Sequence, residues 1–334
     1  MPRTTATLLL GALATLSAPA AAGETWYADY DAAVEAATKA KKDLFVDFTG
    51  SDWCGWCIKL HDEVFAHDEF LEAVQREFVL VALDFPHGEE AKAKVPNAAR
   101  NAELNEKYGI RGYPTVLLMN VAGEVFAQTG YQEGGPQAYV EHLAEITKSG
   151  REALASIKEI VAAFDKATGD AKVKAWEKVI DRLEAQEADS PFVRLLAPAV
   201  RWAFETDPQN ASGFKRRAVE ALLATGQVDE AVIRAGRELD PKNEEGLLER
   251  VVDAQFQAVQ DDTMAKAAMD ALDALLLLGI RDEELSFRLQ FTAARWCAGP
   301  LADPERAKKY AAAAKAIGTD DARALQTLDK ILGG

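Results

Sequence analysis

Hydrophobic patterning changes character part-way along this chain, and the change limits the folds open to it. From Thr25 to about Lys148 short β-rich runs alternate with helical segments, whereas from Arg151 onward almost every segment has helical spacing. A chain of 334 residues also exceeds the usual size of a single core. Two domains are therefore expected, 23–148 and 151–334, meeting near Ser149-Gly150. In the first, helices are expected at Tyr30 to Lys41, from about Cys54 to His67, at Glu69 to Glu77, in a stretch ending near Tyr108, and at Gln137 to Thr147. Strands are expected at Leu44 to Phe48 and Phe78 to Asp84. Val116 to Met119 and Glu124 to Thr129 read as a hairpin joined at Ala122-Gly123. Strands separated by helices make an α/β sheet covered on both faces.

The second part repeats itself. Glu205-Thr206-Asp207-Pro208-Gln209-Asn210 returns 33 residues later as Glu238-Leu239-Asp240-Pro241-Lys242-Asn243, and Gly213 returns as Gly246. A period in the low thirties, with Asp-Pro ending one helix and starting the next, suits stacked helix pairs. Val173, Trp176, Ile180 and Leu183 form an apolar stripe at helical spacing, as do Phe287, Phe291 and Ala294. An all-α repeat domain is expected.

The chemistry-bearing feature is Trp53-Cys54-Gly55-Trp56-Cys57, entered from the apolar run Leu44-Phe45-Val46-Asp47-Phe48 and followed by helix formers. Two cysteines two residues apart at a helix start can close a small ring or open it again. Unpaired N–H groups and the partial positive charge of a helix amino end favour a thiolate at Cys54, while Cys57 lies one turn deeper and shielded. Reversible electron transfer follows. Asp47 is a charge in an apolar strand, which is expensive unless used. Either burial raises its proton affinity, so that it can exchange a proton with Cys57 through water, or the strand end lets it reach solvent.

With Lys107-Tyr108-Gly109-Ile110-Arg111-Gly112-Tyr113-Pro114-Thr115, these segments resemble a thioredoxin-family domain over residues of about 25 to 148. The resemblance implies that Cys54 attacks, that Cys57 resolves, that Pro114 is cis beside the disulfide, and that Tyr113 offers its backbone to an extended substrate. From the residues alone, Gly112-Tyr113-Pro114-Thr115 reads as a trans strand start, since cis accounts for only about 5 to 6% of X-Pro bonds in folded proteins; the resemblance reverses that prior. Trp53, Gly55 and Trp56 complete the expected substrate-binding rim, with Trp56 also suited to an apolar client platform.

Three departures from the family stand out. The loop between Asp47 and Trp53 has one residue more than the ordinary pattern. Phe78 to Asp84 is apolar where the family often has a lysine facing the buried acid. Gly55-Trp56 is neither the proline of strong reductants nor the histidine of strong oxidants. Thioredoxin-like potentials span roughly −270 to −120 mV, so redox direction stays open. A reductase or isomerase is preferred because a second, partner-binding type of domain suits delivery to clients. The helical half resembles tetratricopeptide pairs loosely, through Gly226-Gln227-Val228-Asp229-Glu230-Ala231 before Pro241.

Residues 1 to 22 read as a secretory signal: Arg3, an apolar stretch from about Ala6 to Leu16, then Ala20-Ala21-Ala22. The mature chain is expected to be exported to a periplasmic or extracellular space, with no membrane span. Over the full chain, 54 acidic against 38 basic residues give a net charge of −16, which disfavours nucleic acid as a partner. Of three cysteines, Cys54, Cys57 and Cys297, the last sits in an apolar helical pattern and reads as core.

Zinc is a rival reading, since Cys54, Cys57 and His61 share a helical side, with His67 near; no second cysteine pair completes the set, so no metal is expected. Haem attachment needs histidine where Ile58 stands. His87 and His142 read as surface or cap residues. The expected partners are client proteins with thiols or disulfides and a redox partner, with no cofactor. The alternative is a non-catalytic scaffold binding a partner through its helical half.

Overall fold

A computed structural model describes residues 26–333; the expected signal segment lies outside the described residues. Contacts along the chain divide it into two compact units, one reaching Glu124 and including Gln128–Glu145, the other holding Val125–Ala127 and everything from Ile146 on.

The first unit is built on a five-stranded sheet of order β1-β3-β2-β4-β5, with β1 Trp26–Tyr27, β2 Asp43–Thr49, β3 Phe78–Asp84, β4 Thr115–Met119 and β5 Val125–Thr129. β3 runs parallel to both β1 and β2, while β4 runs antiparallel to β2. The central position of β2 explains its largely apolar run, because a strand flanked on both edges and covered on both faces has no solvent side. Leu44 through Phe48 are all buried, Asp47 included. Phe45, Phe65 and Phe70 meet edge to face or tilted at 4.9–5.7 Å and form the aromatic heart of this core.

Helix α1, Tyr30–Ala40, starts at Asp29, whose carboxylate accepts the Ala32 N–H at 2.9 Å. The helix after the cysteines is shorter than expected: α2 is Gly55–Leu60, a π-helical turn follows at His61–Phe65, and α3 is Asp68–Val74. That wider turn buries Val64 and Phe65 while His61, Asp62 and Glu63 stay exposed. A short α4, Glu89–Lys92, and α5, Ala98–Tyr108, precede the β4–β5 hairpin, whose turn uses Gly123 at φ 76°.

The helix expected at Gln137 to Thr147 is instead α6, Gly135–Lys166, continuous through Ser149-Gly150. Gly150 is glycine for a reason other than ending a helix: a Cβ there would overlap the backbone oxygen of Phe126.

The second unit continues with α7 Asp170–Glu184, α8 Val193–Val200, α9 Trp202–Thr206, α10 Phe214–Ala224, α11 Glu230–Leu239 and α12 Leu247–Gln257. It ends with α13 Asp262–Leu278, α14 Glu283–Ala298, α15 Pro304–Ile317 and α16 Ala322–Gly333. Trp176, Ile180, Leu183 and Ala294 are fully buried in one core, against which Phe287 and Phe291 pack.

The repeated motif is the joint between helices. Asp207 closes α9 and Asp240 closes α11, but the next helices begin seven residues on, at Phe214 and Leu247, so Asp-Pro ends a helix without starting the next. Each buried aspartate accepts backbone N–H groups of the joint and of the first residue of the coming helix: Ser212 and Phe214 at 3.1 and 3.0 Å on Asp207, Glu244 and Leu247 at 2.7 and 2.9 Å on Asp240. Asn210 and Asn243 take φ 55° and 56°, and Gly213 and Gly246 both take φ 78°, so the two joints share one backbone path.

Candidate functional site

β2 delivers the chain into a tight loop ending at Cys54. Gly50 is required there, since a Cβ would stand 2.6 Å from the Trp53 indole, and its carbonyl accepts the Cys54 N–H at 2.9 Å. Two carboxylates tie this loop to the end of β3. Asp84 accepts from Ser51 N and Oγ at 2.9 and 2.6 Å. Asp52 accepts from the backbone N–H groups of His87 and Gly88 at 2.9 and 2.7 Å, and these bonds hold its proton affinity below the ordinary carboxylate value.

Cys54 and Cys57 are joined as a disulfide with their Cα atoms 5.2 Å apart. Cys54 is the N-cap of α2, and its Sγ accepts the Cys57 N–H at 3.2 Å. The sequence pattern led us to expect an open Cys54 beside a shielded Cys57. In the disulfide the two are covered alike, at 5% and 4% exposure. What distinguishes them is the cap, because an amide N–H pointing at Sγ stabilises negative charge on Cys54.

Topology brings the proline turn to the same end of the sheet. Thr115 opens β4 opposite Phe48 near the end of β2, so Tyr113 and Pro114 lie beside the cysteine loop, and the Tyr113–Pro114 peptide is cis. The Tyr113 ring meets Trp53 edge to face at 5.7 Å, and its hydroxyl donates to Asn105 Oδ1 at 2.9 Å. Trp53 donates Nε1–H to the Phe85 carbonyl at 2.9 Å and stacks on His87 at 4.4 Å with the planes 3° apart. Trp56 leans on Tyr131 at 5.1 Å, with Lys59 Nζ over both rings, and Tyr131 donates to Glu63 at 2.7 Å. Trp53, Trp56 and Ile58, exposed at 41%, 57% and 43%, form an apolar rim around the disulfide. Gly55 faces open space.

Beneath Cys57 lies a cavity of about 500 Å³ lined by Asp47, Thr49, Ser51, Cys57, Asp84, His61 and Asp62 among others. Of the two readings of Asp47, burial is the one observed. Its proton affinity rises from 3.8 to about 8, first because burial penalises the charge and second because the Asp84 carboxylate is near. Asp47 Oδ1 has no hydrogen-bond partner among the described residues. An acid in that state can hold or release a proton near neutral pH, and it lines the same cavity as Cys57.

His61 and His67 do not converge on the cysteines: His61 Nδ1 faces Asp62 Oδ1 at 3.2 Å, and His67 Nε2 meets the Asp62 carbonyl at 3.1 Å. His142 pairs with Thr129 Oγ1 at 2.9 Å. Cys297 is buried against Met269 Sδ at 3.2 Å, and burial pushes its thiol proton affinity up. Five site neighbours escaped the sequence reading: Asp52, Lys59, Asp84, His87 and Tyr131. Only Asp84 had a signal, a charge at the end of an otherwise apolar strand.

Fold and disulfide together define a thiol-disulfide oxidoreductase of thioredoxin-like build. A family model for the thioredoxin-like domain matches residues 30–145. The disulfide bond reductase DsbH of Chlamydia pneumoniae is 33% identical over 132 residues, 39% of this chain and 77% of that protein. The thioredoxin-related protein DsbJ of the same organism is 33% identical over 96 residues, 28% of this chain and 27% of that protein. A solved structure of a DsbH oxidoreductase shares 30% identity over 42% of this chain and 95% of its own, with a TM-score of 0.33. The chain belongs to the thioredoxin-like family that includes DsbH.

Proposed function

We propose that this protein is an exported reductase of protein disulfides working through Cys54 and Cys57. The observation that carries the proposal is a disulfide whose Cys54 caps a helix and whose Cys57 shares a cavity with a buried Asp47 of raised proton affinity. The similarity to a protein named as a disulfide bond reductase favours reduction over isomerisation, and the leader-like residues 1 to 22 favour export.

In the reduced protein the Cys54 thiolate attacks one sulfur of a client disulfide, and the other client sulfur leaves with the bonding pair and takes a proton from solvent. The carboxylate form of Asp47, a minor but accessible fraction at neutral pH, then takes the Cys57 thiol proton, and the Cys57 thiolate attacks Cys54 Sγ. The second client sulfur leaves as thiolate, and the Cys54–Cys57 disulfide forms. Two electrons pass from the protein dithiol to the client, and a dithiol donor must return them. Trp53, Trp56, Tyr113 and Pro114 form the surface on which an extended client segment lies, and the helical unit is the part suited to holding a partner.

The test is the Cys54/Cys57 potential against glutathione, together with reduction of insulin by the full chain. A potential near that of thioredoxin, roughly −270 mV, with insulin turnover supports the proposal. A value near the strong oxidants, roughly −120 mV, overturns it. Capture of a partner by the helical unit without any thiol turnover would favour the scaffold.

A further inference from the structure

The mechanism assigns Asp47 a task but leaves Asp84 as a loop tie. Placement on the sheet gives Asp84 a second task. Side chains alternate faces along a strand, so Asp47 and Thr49 of β2 share a face with Ala82 and Asp84 of β3. The register sets Asp47 opposite Ala82 and Thr49 opposite Asp84, which makes Asp84 the diagonal neighbour of Asp47, with backbones about 7–8 Å apart. Both carboxylates line the cavity beneath Cys57. Ala82, between them in register, is too small to separate them.

We propose that Asp84 is a positioning residue for the thiol–disulfide reaction: across the shared cavity, its carboxylate governs how readily Asp47 exchanges a proton with Cys57. The inference rests on the reading of Asp47 as the proton partner of Cys57. The other groups around Asp47 leave this role to Asp84. From α2 comes Cys57 itself, and from the π turn come His61 and Asp62, whose side chains stand at the solvent end, 64% and 69% exposed. From α6 comes Tyr139, whose hydroxyl is spent on the Gly130 carbonyl at 3.2 Å. β4 presents Val116 in register, and no lysine or arginine lines the cavity among the described residues. With no cation facing it, Asp47 feels the second carboxylate without compensation, and the direction of that effect agrees with the charge of Asp84.

The experiment follows the Asp47 carboxyl by carbon NMR across pH in the oxidised full chain, and in parallel the single-turnover rate at which Cys57 resolves a Cys54 mixed disulfide. Asp84→Asn should lower both midpoints by about one pH unit, so that well below the midpoint resolution becomes up to about tenfold faster than in the wild type. Asp84→Glu should keep the wild-type midpoints. Ser51→Ala removes the hydroxyl bond to Asp84 but keeps the backbone N–H bond and the charge, and should also leave them in place. Unmoved midpoints in Asp84→Asn, or an equal movement in Ser51→Ala, overturn the proposal. So does a carboxyl midpoint that moves while the resolution profile stays put. Absence of insulin turnover in the wild type would sink the reductase reading, and the carboxyl titration would still decide for or against Asp84.

Discussion

Buried carboxylates occur in both units of this protein and are treated in opposite ways. In the helical unit Asp207 and Asp240 each collect backbone N–H groups of the joint and of the next helix's first residue, and Glu249 accepts from Asn243 Nδ2 at 2.7 Å and Arg281 N at 2.9 Å. In the α/β unit Asp47 is just as buried, yet its Oδ1 has no partner among the described residues and the charge that acts on it is another carboxylate, Asp84. A buried charge that is fully hydrogen-bonded organises backbone; one left unsatisfied has its proton affinity displaced toward neutrality and is available for chemistry. The contrast separates acids that hold structure from the one to which a proton-exchange role is proposed.

The sharpest way to break this comparison is at the sulfurs. Cys57→Ser should abolish multiple turnover of insulin, a loss of more than about a hundredfold, and leave Cys54 covalently bound to clients, read by mass spectrometry after alkylation. Release of those clients at the wild-type rate would remove Cys57 from the mechanism.

Next in size, Asp240→Ala should destabilise the helical unit by about 3 kcal/mol, because several backbone donors lose their acceptor inside the fold. Urea denaturation followed by far-ultraviolet circular dichroism measures this, and a loss under 1 kcal/mol would show that the joint holds without its aspartate.

Asp47→Asn should act with the opposite sign. The folded protein keeps a proton on Asp47 that the unfolded chain releases between about pH 4 and 8, so unfolding free energy falls as pH rises through that window. Moving from 3.8 to about 8 bounds the effect at roughly 6 kcal/mol, and relaxation around the site should leave about 2 kcal/mol. The variant should therefore be more stable than wild type at pH 8.5 and indistinguishable at pH 4. Equal stability at both pH values would mean that Asp47 carries no burial penalty.

The smallest effect belongs to charges in neither class. Arg217 pairs with Glu184 and Asp181 at 2.5 and 2.6 Å on a partly exposed face, so Arg217→Ala should cost less than about 1 kcal/mol, and less again in high salt.

Much of this was legible in the residues. The strand Phe78 to Asp84 matches residue for residue because an apolar run bounded by polar turns has one solution, and the cysteine pair announced its helix start. Asp47 was legible as an anomaly, since a carboxylate inside Leu44 to Phe48 conflicts with its surroundings at every level of reading. Gly150 misled, because a glycine between polar residues looks the same whether it ends a helix or lets a carbonyl approach one. The π turn at His61 was invisible for a related reason: its sequence is helical, and only the need to bury Val64 and Phe65 widens it. His87 and Tyr131 meet Trp53 and Trp56 across 34 and 75 residues of chain, distances over which periodicity carries no information.

The joint from Asp207 to Gly213, and its copy from Asp240 to Gly246, satisfies its own backbone and hands the next helix a ready acceptor. Such a segment behaves as an interchangeable coupling. Removing the 33 residues from one aspartate to the other would fuse two equivalent connectors without leaving a ragged helix end, so a shortened array with one coupling fewer is a natural variant of this architecture.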